Sequence, residues 1–126
     1  MKVVATIEAR MKSTRLPGKV MLPALGRPMM GHLIRRLKAV PSIDEVIVAT
    51  TTNAADDILA EYSSQEGARI FRGDEEDVMG RVVGAAESAE ADIVVQITGD
   101  CPILDPDLAE QTIRLFKRNI DIDFAS

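Results

Sequence analysis

Residues 2–8, KVVATIE, make a run of small and β-branched residues with no turn former inside it, and the reading of that run decides the fold. A strand with one wet face alternates apolar and polar residues, whereas a strand covered on both faces has no need to. The run therefore reads as a strand buried on both faces. Similar runs recur at residues 45–51, 68–71 and 93–98.

Helical spacing fills the intervals. Met29, Met30, Leu33, Ile34 and Leu37 recur at three and four residues, as do Ile58, Leu59 and Tyr62, which places each set on one helical face. Pro28 suits a first helical turn. Val78, Val82, Ala85 and Ala86 mark a helix over residues 78–91, and the acids Glu75, Glu76 and Asp77 before it suit a helix N-terminus. Residues 107–118 read as one more helix, opened by Asp105 as cap and Pro106 as first position. Close to the end, Ile120, Ile122 and Phe124 alternate with Asp121 and Asp123 as a strand would.

Strands alternating with helices imply crossover connections and a mainly parallel sheet between two helical layers, a Rossmann-like α/β/α arrangement. Such sheets bind ligands at the carboxyl ends of their strands. Two segments fall there: residues 9–19 after the first strand, and residues 99–105 after the fourth.

The whole chain agrees with one domain. Its 126 residues, 46% of them hydrophobic, suffice for a single core. A formal net charge of −5 and only 3% aromatic residues argue against a nucleic-acid groove and its stacking platforms. A small-molecule partner fits better, with no nucleic acid. The lone Cys101 has no partner for an internal disulfide, the apolar start is too short for a signal peptide, and no apolar run approaches a membrane span. Cytoplasmic residence is the expectation.

Arg10, Lys12, Arg15 and Lys19 set four cations within ten residues of an acidic chain, interleaved with Ser13 and Thr14 and closed by the turn pair Pro17-Gly18. An anionic guest is the natural complement. A loop leaving a buried strand offers backbone N–H groups, and arginine and lysine add charge-assisted bonds suited to phosphate oxygens. The plainer alternative is a solvated charged loop. Gly18-Lys19 lacks the upstream glycine and following hydroxyl residue of a Walker loop, and no GxGxxG is present. Phosphate-loop ATPases and dinucleotide oxidoreductases therefore lose ground.

Asp100 follows Gly99 at the end of the fourth strand, with Cys101-Pro102 turning the chain. A carboxylate there is placed to hold a divalent cation beside phosphates; the alternative is an Asx turn.

The stretches IEARMKSTRLPGKVM (7–21), VIVATTTNAADD (46–57), FRGDEEDVMGR (71–81) and VQITGDCPILDP (95–106) together resemble the cytidylyltransferases that make CMP-linked sugar acids, above all the spore-coat-polysaccharide SpsF-like branch. The resemblance covers nearly the whole chain. It implies the nucleotide-diphospho-sugar transferase fold, and transfer of CMP from CTP to a sugar acid or related polysaccharide precursor with release of pyrophosphate. By the same resemblance, Arg10 and Lys19 hold the CTP phosphates and stabilise the leaving group, with Ser13 and Arg15 in support. Backbone groups from Ile7 to Ala9 read the base, Arg72 assists base recognition, Thr98 lies near the ribose, and Asp100 binds Mg²⁺. Relatives usually carry proline or glutamine where Glu8 stands, and a small residue where Lys12 stands.

Complete relatives are about twice as long as one such domain. Their second half supplies a further metal-binding aspartate, much of the acceptor site and the arm of a homodimer. The chain thus reads as the nucleotide-binding, N-terminal part, residues 1–126, with the acceptor and dimerisation part absent. Two rivals stay open: a non-catalytic nucleotide-binding or interaction module, and a related nucleotidyltransferase or glycosyltransferase using another nucleotide. Asp121-Ile122-Asp123 is formally the DxD of the latter.

Other polar residues take structural readings. Residues 74–77 and Arg81 serve the helix they adjoin. Capping accounts for Asp56 and Asp57, which follow Asn53, and for Asp105 and Asp107. His32 and Cys101 are packing residues.

Overall fold

The computed structural model describes residues 1–12, 16–99, 104–119 and 121–125. In chain order the elements are β1 (Val3–Glu8), a 3-10 turn (Lys19–Met21), β2 (Pro23–Ala24), β3 (Arg27–Pro28), α1 (Met29–Lys38), β4 (Glu45–Thr51), a second 3-10 turn (Ala54–Asp56), α2 (Asp57–Gln65), β5 (Arg69–Gly73), α3 (Val78–Ser88), β6 (Ile93–Thr98) and α4 (Pro106–Arg118).

β1, β4, β5 and β6 form a parallel sheet in the order β5-β4-β1-β6. Ile7 of the central strand stands between Val48 of β4 and Ile97 of β6. The chain thus builds outward from β1 through β4 to β5, then returns to the other side of β1 to lay down β6. That reversal opens a crevice between the carboxyl ends of β1 and β6, where parallel α/β sheets bind their ligands.

The periodicity of α1 places Met30, Leu33, Ile34 and Leu37, all fully buried, against Ala5, Ile7, Val46 and Val48, with Leu59 of α2 in the same cluster. Burial of each large side chain contributes about 1.5–3 kcal/mol. α4 extends this layer through Ile113, which meets Val3, Val40 and Ile93. The opposite face belongs to α3, whose Ala85 packs with Val4, Ile47, Ala49 and the C-cap Ala89. The expected three layers result.

β1 and β4 are covered on both faces, as their composition predicts. β6 is not: Val94, Gln96 and Thr98 are exposed while Ile93, Val95 and Ile97 turn inward. Among the described residues it is an edge strand, and α3 lies over β1, β4 and β5 instead. β5 occupies the other edge.

The strand expected from Ile120, Ile122 and Phe124 is not seen among the described residues. Ile122 N–H donates to the Asn119 carbonyl at 3.1 Å in a turn, residues 123–125 have no regular structure, and Ile120 lies outside the described residues. Alternation suits a strand only where a neighbouring ladder exists to pair with. An unforeseen hairpin, β2 with β3, turns through Leu25 and Gly26 at φ 54° and 76°. His32 touches the Ala24 carbonyl at 2.5 Å and holds this hairpin against α1. No described helix is long and apolar enough to cross a membrane.

Candidate functional site

The crevice is built from two segments that nearly touch. Beyond β1, Ala9 N–H donates to the Ala49 carbonyl at 3.2 Å, and Gly99 N–H, just beyond β6, donates to the Glu8 carbonyl at 2.9 Å. A Cβ on Gly99 would lie 2.8 Å from that of Ala9 and 3.1 Å from the Glu8 carbonyl oxygen. Only glycine permits that approach.

The basic loop leaves from this junction and is tied at its base. Met11 accepts from Gly18 N–H at 2.7 Å, and Met11 N–H donates to Asp56 Oδ1 at 2.6 Å. Gly18 turns the chain at φ 73°, a left-handed conformation that glycine adopts without strain. The following 3-10 turn buries Val20 in the core, with Cγ1 3.4 Å from where a Cβ on Gly99 would stand; Lys19 is half-buried and Arg10 is exposed.

Asp56 carries this arrangement, and capping does not account for it. It is 2% exposed, its second oxygen accepts from the Thr51 hydroxyl, and it makes no side-chain cap bond to α2. Asn53 does the capping, its Oδ1 accepting from Ala55 N–H at 2.8 Å. Asp57 instead pairs with Arg72 at 2.8 Å. Asp105 accepts from Asp107 N–H at 2.9 Å as a cap should, whereas Asp107 lies in the first turn of α4.

A polar network borders the loop. The Asn53 amide donates to Glu75 at 2.9 Å, and Lys12 pairs with the other Glu75 oxygen at 3.6 Å. The Asn53 bond, together with Lys12 and Arg10 nearby, holds the Glu75 carboxyl below the usual range. Arg81, one turn into α3, is buried; it donates to the Asp74 and Glu75 carbonyls and, at 2.6 Å, to the Glu8 carboxylate. Glu8 therefore fastens α3 to the end of β1. Asp77 caps α3 through Gly80 N–H at 2.8 Å.

Of the residues singled out from sequence, Ala9 follows β1 directly with Arg10 after it, and Thr98 ends β6 opposite Glu8 in the ladder. The Ile7 side chain is fully buried in the core, which leaves only its backbone for any contact. Arg72 spends Nε on the Thr51 carbonyl at 2.7 Å and one terminal nitrogen on the Asn53 carbonyl at 2.9 Å, so it braces the loop after β4. Ser13, Arg15, Asp100 and Cys101 lie outside the described residues. Among the described residues no three acidic, histidine or cysteine side chains converge on a metal position.

A parallel sheet whose strand order reverses at β1, followed in sequence by a cation-bearing segment without Walker or dinucleotide glycines, defines an α/β domain of the open-sheet kind that binds ligands at its switch point. The cytidylyltransferase family model matches residues 4–125, and the chain belongs to that family. It is similar to a cytidylyltransferase structure from Leptospira borgpetersenii serovar Hardjo-bovis, with 39% identity and a TM-score of 0.91 over 96% of this chain and 51% of that one. It is also similar to CMP:2-keto-3-deoxy-manno-octonic acid synthetase solved with CTP, at 28% identity and a TM-score of 0.83 over 97% and 50% of the two chains. The spore coat polysaccharide biosynthesis protein SpsF of Bacillus subtilis is 35% identical over 116 residues, 89% of this chain and 48% of that protein. The chain spans about half the length of the relatives it matches. Solved nucleotidyltransferases share its fold, a mainly parallel sheet between helical layers.

Proposed function

We propose that this chain is the nucleotide-binding half of an enzyme that transfers CMP from CTP to a hydroxyl of a sugar acid. The acceptor oxygen attacks the α-phosphorus, the bond from that phosphorus to the bridging oxygen of the β-phosphate breaks, pyrophosphate leaves with the electron pair, and the hydroxyl proton passes to solvent or base. The observation that carries the reading is the bond from Met11 N–H to Asp56 Oδ1, which ties the start of the cation-bearing segment just beyond the carboxyl end of β1.

Such a transfer asks little covalent chemistry of the protein. Charge accumulates on the phosphate oxygens and the departing pyrophosphate, and fixed cations stabilise it. Arg10 and Lys19 take the β- and γ-phosphates, with Ser13 and Arg15 in support; backbone groups from Ile7 to Ala9 meet the base, Arg72 lies behind it, and Thr98 lies near the ribose. Asp100 would hold a divalent ion such as Mg²⁺, which when bound would neutralise phosphate charge. This ion is commonly bound through one or two carboxylates plus substrate phosphates and water. The complete enzyme is a cytoplasmic homodimer serving polysaccharide synthesis.

Calorimetric titration with CTP, ATP, GTP and UTP, with and without Mg²⁺, tests the nucleotide. Preference for CTP supports the reading; equal or absent binding of all four sinks it. The second reading, nucleotide binding without turnover, is favoured by the half-length match to the relatives. Pyrophosphate release on addition of 2-keto-3-deoxy-manno-octonic acid and other sugar acids separates the two.

A further inference from the structure

Glu75, in the turn between β5 and α3, sets its carboxylate against the cation segment that follows β1. One oxygen accepts from the Asn53 amide at 2.9 Å and the other faces Lys12 Nζ at 3.6 Å. The Asn53 bond first, then the charges of Lys12 and Arg10, favour the ionised carboxylate. The turn after β4 grips both parties to this pair: Asn53 holds Glu75, and Asp56 holds the Met11 N–H next to Lys12. Asn53 is itself fixed, its N–H bonded to the Thr51 hydroxyl at 3.1 Å and its Oδ1 capping Ala55. The main chain of Glu75 is fixed as well, since its carbonyl accepts from buried Arg81 at 3.1 Å.

The lysine side of the pair is the loose one. Its contact is longer than the roughly 2.7–2.9 Å of a tight charge-assisted bond, and the Lys12 side chain is 61% exposed. An ion pair of this kind adds little to stability. Its consequence is for charge: Glu75 already supplies an anion to the segment best suited to take one. We propose that Glu75 is an internal counter-anion of Arg10 and Lys12, and that a polyphosphate arriving at this segment takes Lys12 from Glu75 by ion exchange. Phosphate oxygens carry more charge than one carboxylate, so the exchange runs forward, while Asn53 keeps Glu75 in place beside the bound anion. The carboxylate thereby holds polyphosphate affinity down, which also eases the departure of a pyrophosphate product. The proposal rests on the reading of the segment as a phosphate site; it adds the residue that sets how tightly that site holds.

Calorimetric titration with inorganic tripolyphosphate at low ionic strength, without added metal, provides the test. Glu75→Gln keeps an acceptor for the Asn53 amide and removes only the charge, so it should tighten tripolyphosphate by about three- to tenfold, and rising salt should erase the gain. Glu76→Gln makes the same change at the exposed neighbouring position and should alter affinity by less than about twofold. In a Lys12→Ala background the gain from Glu75→Gln should shrink to below about twofold, because the cation that both anions share is gone. Three results would overturn the proposal and leave the phosphate reading standing: binding by the parent with no gain in Glu75→Gln, an equal gain in Glu76→Gln, or a gain that persists undiminished without Lys12. Binding by neither the parent nor Glu75→Gln would remove the phosphate site itself, and the proposal with it.

Discussion

The guanidinium of Arg81 donates to the carboxylate of Glu8 across 2.6 Å, joining the first turn of α3 to the last residue of β1. The Arg81 side chain is fully buried and that of Glu8 is 20% exposed. Removing one member of such a pair leaves the other without its compensating charge, at a cost of about 3–5 kcal/mol when both are dry. Partial exposure of Glu8 puts Arg81→Ala at the low end, about 3 kcal/mol. Glu8→Gln keeps an acceptor and should cost about 1 kcal/mol. Urea unfolding measures both, and a loss below about 1 kcal/mol for Arg81→Ala would mean that water already serves Glu8.

Arg10→Ala and Lys19→Ala should each weaken CTP by roughly 10- to 100-fold, the worth of one charge-assisted contact, while cytidine binding changes little. Asp100→Asn should chiefly remove the dependence on Mg²⁺. Calorimetry with CTP and cytidine in parallel gives the comparison. Equal losses for both ligands would move the phosphates away from this loop.

Asp56 is a positioning residue: it holds Met11 from below. Asp56→Ala should cost about 2–3 kcal/mol through loss of buried bonds to a charged acceptor, and CTP affinity should fall with it. Asp56→Asn keeps an acceptor for Met11 and should restore most of the affinity. Hydrogen exchange at the Met11 amide gives a direct reading, fast in the alanine variant and slow in the asparagine one. Parent-like exchange in Asp56→Ala would show that the loop does not depend on this tie.

Glu75 gives a pH dependence with a defined sign. Its folded-state value is lowered, first by the Asn53 amide and then by Lys12 and Arg10. The associated stability is therefore fully present above the unfolded value of about 4.3, and is lost as pH falls through the lower folded value. Asn53→Asp keeps the cap on Ala55 and removes the amide donor, so the Glu75 carboxyl should return to or above its ordinary range. Carboxyl-resolved NMR titration of parent and variant decides; superimposed curves would exclude the Asn53 bond as the cause.

The central sheet was legible because buried parallel strands leave unbroken apolar runs. Residues 45–51 and 93–98 coincide with β4 and β6. The third run came out short, since Arg72 and Gly73 break its apolar character while still pairing with Thr50 and Thr51. The hairpin of β2 and β3 escaped notice because two-residue strands have no period, and Leu25-Gly26 lacks the asparagine or aspartate common in such turns. The position of Arg10 just beyond β1 follows from the strand before it. The role of Asp56 does not follow from its neighbours, because its decisive contact is with a residue 45 positions away. The Glu8–Arg81 bond spans 73 positions, and local patterning carries no trace of it.

The contact at Gly99 couples two regions that otherwise look unrelated. β6 ends on Gly99, whose N–H donates to the Glu8 carbonyl and whose bare Cα lets the segment after β1 lie against it. Any side chain at position 99 would have to displace Ala9 or the Glu8 carbonyl, so the alignment of the two strand ends is conditional on that one hydrogen.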